Sequence, residues 1–180
     1  MSLDTSNVPQ VRYDTDRMIL RPLRMSDLGL VEMYASDQRV ARMTSSIPHP
    51  LPPGAIEAYI TRSLADDRTE DVWVMDGSHT GLAEVLGLIS LTRLDEKQSE
   101  ISYWVAPAFW NTGFASEALD GIVAANPQNV QTLFGSVFQD NPASARVLTH
   151  CGFQYLGDAE VYSVARETTV PTWTYLRKLD

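Results

Sequence analysis

The segment Trp104 to Ala118 carries the residue types that an anion site needs. A strand ends, a short turn holding Gly113 follows, and a helix begins near Ala115. A helix N-terminus carries roughly half a positive charge and several unpaired N–H groups. Small residues beside it let a phosphate come close to those groups. An ordinary strand-to-helix bend would need the same glycine for its backbone angles. A second segment, Asp140-Asn141-Pro142-Ala143-Ser144, opens another helix, and Cys151-Gly152-Phe153 closes it. Asn141 suits the N-cap and Pro142 the first helical position.

The remaining reactive residues are sparse. Cys151 is the only cysteine, so no internal disulfide framework exists. No His-Asp partner is positioned for it by the sequence, and it reads as a buried packing cysteine. The three histidines, His49, His79 and His150, are far apart, and no cluster has metal-ligand spacing. No metal site is expected.

The formal net charge of -9 and pI near 4.7 argue against nucleic acid as a partner, because phosphate backbones call for a basic surface. An acidic surface suits a cationic amine better. No apolar run approaches the ~20 residues of a membrane span. Met1 to Gln10 is polar and lacks a signal-peptide apolar core. It reads as a disordered or tag-like lead-in to a single domain over 11–180, with the cytoplasm as the default location.

These segments need a frame to hold them. Met18 to Leu23 reads as a first strand, and Ser26 or Asp27 caps a helix carrying Leu28, Val31 and Tyr34. The stretch from Ser45 to Pro53 holds four prolines and reads as a loop. A helix from about Gly54 to Leu64 follows, with Ile56, Tyr59, Ile60 and Leu64 on one face. Strands are expected at Val72–Met75, Val85–Leu91, Ile101–Val105 and Thr132–Val137. Helices are expected at Ser116–Ala125 and Asn141–His150, the last stopped by Gly152. Val161–Ala165 and Trp173–Leu179 form a closing hairpin. The order is that of a mixed α/β domain.

Four pieces of the chain, in order and at matching spacing, resemble the GNAT superfamily of N-acetyltransferases, in its ribosomal-protein N-terminal acetyltransferase-like branch. Thr15 to Leu23 resembles the branch opening T-E-R-L-x-L-R-P. Ser99 to Val105 resembles A-E-I-G-Y-W-V. Trp110 to Ala118 resembles W-G-K-G-Y-A-T-E-A. Asp140 to Leu148 with Gly152-Phe153 resembles D-N-x-A-S-x-R-V-L-x-x-x-G-F. The resemblance implies an α/β (α+β) fold: a twisted, mostly antiparallel sheet of about seven strands with helices on both faces. It implies acetyl-CoA as acyl donor and an amine acceptor, a protein N-terminus or a small molecule. It also allows a homodimer.

In this fold two strands splay apart and the pantetheine arm enters the wedge. On that pattern Trp104 and Val105 bind the arm. The N–H groups from Asn111 through Thr112, Gly113, Phe114 and Ala115 to Ser116, beside Trp110, hold the pyrophosphate, and Asn141 contacts the cofactor. The family turn carries Gly and a cation where this chain has Asn111 and Thr112. Backbone donors survive that change, and Thr112 adds a hydroxyl. Ser102 replaces a family glycine, and the sequence offers no reason for it.

Acyl transfer from a thioester to an amine needs a neutral amine, a polarised carbonyl and a proton for the leaving thiolate. An α-amine, with pKa about 7.8, is roughly one part in seven neutral at pH 7. A lysine amine, at about 10.4, costs about 4.6 kcal/mol to deprotonate there, so a general base matters more for it. The resemblance implies Glu100 as that base and the backbone N–H near Val105 as oxyanion donor. Many superfamily members protonate the thiolate from a tyrosine where this chain has Leu148. Ser144 matches the hydroxyl used in this branch, and Tyr103 is a second donor. In this fold the proline-stiff loop borders the acceptor site, where His49 either touches substrate or is part of a plain rigid connector. The competing reading is an acyl-CoA-binding regulatory module without turnover.

Overall fold

The computed structural model describes residues 10–179; the expected lead-in lies almost wholly outside them. Strand β1 (Tyr13–Asp14) and β2 (Ile19–Pro22) precede helices α1 (Leu28–Ala35), α2 (Gln38–Ala41) and α3 (Ala55–Ser63). Strands β3 (Glu70–Asp76), β4 (Gly87–Arg93) and β5 (Gln98–Val105) follow, then α4 (Phe114–Ala125), β6 (Thr132–Phe138) and α5 (Pro142–His150). Strands β7 (Gln154–Ser163) and β8 (Thr168–Lys178) close the chain. They pair in one eight-stranded sheet of order β1-β2-β3-β4-β5-β6-β8-β7. The expected fold class is present, with eight strands instead of about seven. The extra strand is β1, whose two residues are too few to show alternation.

The sheet is covered on both faces because its central strands alternate. On β3, Val72 and Val74 join Val31 and Ala35 of α1 and Ile56 and Ile60 of α3. Trp73 and Met75 point the other way, to Ala118, Leu119 and Ile122 of α4 and Ala145 and Leu148 of α5. A period of two in the strands and of 3.6 in the helices produces these two layers.

Two local features fix the strands that matter for the site. Gly87 lies directly against β5: a Cβ there would sit 2.2 Å from the Trp104 carbonyl oxygen and 2.9 Å from the Val105 Cα. No larger residue fits without moving the backbone at Trp104–Val105. Two strands away from Gly87 in the sheet, Arg21 of β2 is buried between two carboxylates. Its Nε donates to Asp76 at 2.7 Å, and Nη1 and Nη2 donate to the two Asp27 oxygens at 2.9 and 2.8 Å. The expected cap residue Asp27 also accepts from the Arg24 N–H at 2.8 Å. One guanidinium thus joins β2, β3 and the start of α1.

Removing one partner from a buried ionic cluster costs about 3–5 kcal/mol, because the other charges are left desolvated. Arg21→Met is therefore expected to lower unfolding free energy by about that amount in urea titration. Burial alone would raise the Asp76 carboxyl, but hydrogen bonds from Ser78 and Arg21 outweigh it and hold it below the ordinary carboxylate range. Its stabilisation is thus full above the unfolded carboxyl pKa of about 3.9 and fades as pH falls through the lower folded value. The acid-unfolding midpoint should move to higher pH in Asp76→Asn; an unmoved midpoint would remove Asp76 from this account.

Candidate active site

The site begins where a ladder stops. Strands β5 and β6 are parallel and pair only from Gln98–Thr132 to Ile101–Gly135. Beyond that register β5 continues to Val105, still paired with β4, and β6 continues to Phe138, still paired with β8. The two strands splay. The Ala106 N–H donates to the Leu86 carbonyl at 2.9 Å. Antiparallel ladders alternate, so Ser102 and Trp104 use their backbone on β4, while Tyr103 and Val105 turn theirs toward the wedge. One of those groups is engaged: the Val105 carbonyl accepts the Trp110 indole N–H at 2.7 Å. Gly135 makes room for α5 over the splay, since a Cβ there would meet the Leu148 methyls at 3.1 and 3.2 Å.

On one side of the wedge lies a cavity of about 840 Å³. Tyr103 to Val105, Trp110 to Ser116, Asn141 and Ser144 all line it. Helix α4 begins here, two residues earlier than expected, with Gly113 as N-cap at φ +80°. Glu117 is the first residue whose N–H returns to the Gly113 carbonyl, at 3.0 Å. The N–H groups of Phe114, Ala115 and Ser116 thus lack helical partners, as first-turn groups must. Asn111 stands at φ +60°, a left-handed conformation that asparagine tolerates better than most residues. That is the physical cost of the missing glycine. The Thr112 hydroxyl donates to the Phe109 carbonyl at 2.5 Å, so it is not directed at the cavity as a donor.

The Thr15–Arg17 motif explains itself at this turn. Arg17 donates to the Thr112 carbonyl at 2.9 Å and to Glu117 at 2.7 Å, and its guanidinium covers the Phe114 ring at 4.3 Å. Thr15 donates to Glu117 at 2.6 Å. Sequence reading alone did not connect these residues, which lie about a hundred positions apart. It also missed two cations in the cavity wall, Arg39 of α2 and Arg146 of α5.

On the other side lies a second cavity, of about 630 Å³, bounded by α1, α3 and the loop after α2. Glu100 lines it, and burial raises its carboxyl above the ordinary range. Ile47, Pro48 and Leu51 line the cavity, while the neighbouring His49 does not. The two cavities share Met43, Tyr103, Trp104, Asn141 and Ser144. Asn141 caps α5, accepting the Ser144 N–H at 3.4 Å. At the junction the Ser144 hydroxyl donates to the Tyr103 oxygen, and the Tyr103 hydroxyl donates to the Ser144 carbonyl, each at 3.0 Å. Burial drives the Tyr103 phenol well above its ordinary pKa, so it stays protonated at neutral pH. Leu148 is fully packed and apolar, as its sequence position implied. Among the described residues no group of His, Cys, Asp or Glu is placed to hold a metal ion, and no helix is long and apolar enough to cross a membrane.

Known proteins share this fold. The family model for the GNAT acetyltransferase domain matches residues 17–154. An uncharacterised N-acetyltransferase of Bacillus subtilis (strain 168), YoaA, is 29% identical over 167 residues, covering 90% of this chain and 93% of that protein. Among solved structures, RimL, a ribosomal-protein α-N-acetyltransferase in complex with coenzyme A, superposes with a TM-score of 0.81 at 14% identity, covering 94% of this chain and 99% of that one. A spermidine N-acetyltransferase from Vibrio cholerae, in complex with CoA and spermine, superposes at 0.73 with 18% identity, covering 89% and 95%.

Cys151 stands apart from this chemistry. It is buried at the end of α5, with its sulfur 3.6 Å from the Ser116 carbonyl. Burial and the nearby Asp120 push its thiol up to about 12. At pH 8 the thiolate, the only reactive form, is scarce. Native protein should resist a disulfide-forming thiol probe at pH 8 and label at once when unfolded. Rapid labelling of the folded protein would contradict this burial.

Proposed function

The chain belongs to the GNAT acetyltransferase family and takes acetyl-CoA as its acyl donor, and on that premise we propose that it acetylates a primary amine held in the 630 Å³ cavity. The observation that carries the proposal is the junction: two cavities on opposite sides of one splayed strand pair, meeting at Tyr103 and Ser144. A thioester delivered from one side and an amine from the other come together only there. The acceptor is the α-amine of a protein N-terminus or a small-molecule amine. The cavity volume suits either a small amine or the first residues of a chain.

The roles follow from position. The open backbone of Tyr103 and Val105 is the edge along which the pantetheine arm pairs, and the Trp104 side chain lines both cavities beside it. The Val105 N–H polarises the thioester carbonyl as an oxyanion donor. The free N–H groups of Gly113 to Ser116 hold the pyrophosphate, with Asn111 and Thr112 forming the turn and Trp110 walling it. Arg39 and Arg146 supply the charge that Thr112 does not. Asn141 contacts the donor from the α5 N-terminus. Glu100 is the general base, and its raised carboxyl brings it nearer the working pH.

The amine nitrogen bonds to the acetyl carbon as the C–S bond breaks. The ammonium loses two protons overall: one ends on the CoA thiol and one in solvent. Ser144 and Tyr103 hold two exchangeable protons on touching oxygens, so either can present one to the thiolate, and the pair recovers a proton from the nitrogen, directly or through water, as the amide forms.

Thiol release from acetyl-CoA, followed with a peptide α-amine and a blocked lysine amide, tests the reading. Amine-dependent release is expected. CoA binding with no release on any amine would favour the non-catalytic module instead. Ser144→Ala and Tyr103→Phe should each lower kcat by about 10-fold or more, and the double variant by little more than either, because paired groups act as a unit. Fully multiplicative losses would break the pair. Arg39→Ala should raise the Kd for CoA by roughly 5-fold, the worth of about 1 kcal/mol for an exposed charge, and an unchanged Kd would remove Arg39 from the site.

A further inference from the structure

Of the five residues that the two cavities share, Tyr103 and Trp104 belong to β5, and Asn141 and Ser144 to the start of α5. The fifth, Met43, is the only one contributed by the helical region ahead of β3. One side chain outside both cavities joins these two sources. Arg166, in the β7–β8 turn, has a side chain only 12% exposed. Its Nε and Nη2 donate to the Arg42 carbonyl at 3.1 and 2.8 Å, gripping the peptide that leads into Met43. Its Nη1 and Nη2 donate to the two Asp140 carboxylate oxygens at 2.5 and 3.1 Å, directly before Asn141. The guanidinium also lies over the Phe138 ring at 4.8 Å, and Phe138 lines the acceptor cavity.

Both groups that it grips need an outside partner to be held still. Arg42 is the C-cap of α2, where carbonyls lack helical partners. Asp140 is half-exposed, in the turn between β6 and α5. Bidentate Arg–carboxylate pairing is directional as well as strong. The Arg166 hydrogen bonds hold the Asp140 carboxyl below the ordinary carboxylate range, so the pair stays ionised at neutral pH. The turn that carries Arg166 is itself anchored. Its N–H donates to the fully buried Ser163 hydroxyl at 3.3 Å, and the Val164 N–H donates to the Ser45 carbonyl at 3.1 Å. Met43, in contrast, is unbranched, adaptable and 37% exposed, so its place depends on its backbone.

We infer that Arg166 is a positioning residue for acetyl transfer: by bridging Arg42 and Asp140 it sets the aperture between the two cavities, with Met43 on one side and Asn141 and Ser144 on the other. This rests on the reading of the 630 Å³ cavity as the acceptor site. Arg166 lines neither cavity, so it acts only through the residues it holds. Its reach is uneven. Thr44, Ser45, Ser46 and Ile47, just beyond the gripped carbonyl, all line the acceptor cavity. The Gly113 turn belongs to α4, and none of the Arg166 hydrogen bonds goes there. A misplacement of about 1 Å at reacting groups costs up to about 100-fold in rate. Loss of the clamp is therefore felt as weaker acceptor capture and slower transfer, with donor binding retained.

The experiment measures kcat and acceptor KM for a blocked lysine amide and an alanine-led peptide, together with the Kd for CoA. The proteins are wild type, Arg166→Ala, Arg166→Lys, Asp140→Asn and the double variant Arg166→Ala with Asp140→Asn. Arg166→Ala should raise the acceptor KM by about 10-fold and lower kcat by about 3-fold, with the Kd for CoA within about 2-fold of wild type. A variant that merely loosens the fold loses active protein, which lowers kcat and leaves KM and Kd where they were. The double variant should match Arg166→Ala, since two side chains of one clamp are not additive. Where Arg166→Ala fails to fold, Arg166→Lys and Asp140→Asn carry the test. Each should raise the acceptor KM by about 3-fold, because an ammonium cannot hold a carbonyl and a carboxylate together in one plane. An unmoved acceptor KM in the folded variants, a CoA Kd that weakens as much as the acceptor KM, or multiplicative losses in the double variant overturns the inference. In each of those cases an active wild type leaves the proposed function standing. If wild type acetylates neither amine, the proposed function falls and the role of Arg166 with it.

Discussion

The whole site depends on a parallel ladder that ends at Ile101–Gly135. A longer ladder would satisfy the inner backbone of both strands and leave no wedge. The splay is held open from three directions. Strand β4 keeps β5 through Gly87–Val105, and β8 keeps β6 through Phe138–Thr172. Leu148 of α5 presses onto Gly135, where no side chain stands in its way. Tyr103 then crosses the gap to the first turn of α5. Unpaired backbone groups in a protein interior are costly unless something meets them. The inner edge of β5 is thus a site by its energetics as well as by its shape.

Charge is arranged locally, against the overall balance. A net charge of -9 would repel a polyanionic donor at long range. The cavity beside the Gly113 turn answers with first-turn N–H groups, Arg146 and Arg39, the last paired with Asp37 at 2.8 Å, while the cavity that holds Glu100 also carries Glu70 and, among the described residues, one cation, Arg62. The Glu117 carboxylate beside the turn is neutralised by Arg17, whose guanidinium also holds the Thr112 carbonyl. At physiological salt, fields are screened within about 8 Å.

Much of this could be read from the sequence where local chemistry decides structure. Asn141, Pro142 and Gly152 determine both ends of α5, and the Phe153 N–H returns to the Leu148 carbonyl at 3.0 Å as such an end requires. The Gly113 turn and the alternation of β3 to β6 are equally local. What escaped was of three kinds. Helix α2 is a single turn, too short for a periodic signal, yet it carries Arg39. Strand β7 starts seven residues before the expected Val161, because nearly all of it is exposed and no buried face marks it. Pairings across long sequence separation, such as Tyr103 with Ser144 and Arg17 with Glu117, depend on the fold being assembled.

The roof of the acceptor cavity is tied to the same wedge. Arg166, in the β7–β8 turn, donates to the Arg42 carbonyl at 3.1 and 2.8 Å and to the Asp140 carboxylate at 2.5 and 3.1 Å. The Val164 N–H donates to the Ser45 carbonyl at 3.1 Å. The loop that walls the acceptor cavity is thus pinned to the closing hairpin and, through Asp140, to the residue preceding the α5 cap. Asn141 and Ser144 sit on that cap. Acceptor loops differ most between proteins that share a fold, since function resides in such grafted sites. Here one arginine couples that loop to the start of α5. The shape of the acceptor cavity is therefore set jointly by its own residues and by the C-terminal hairpin, about 120 positions away.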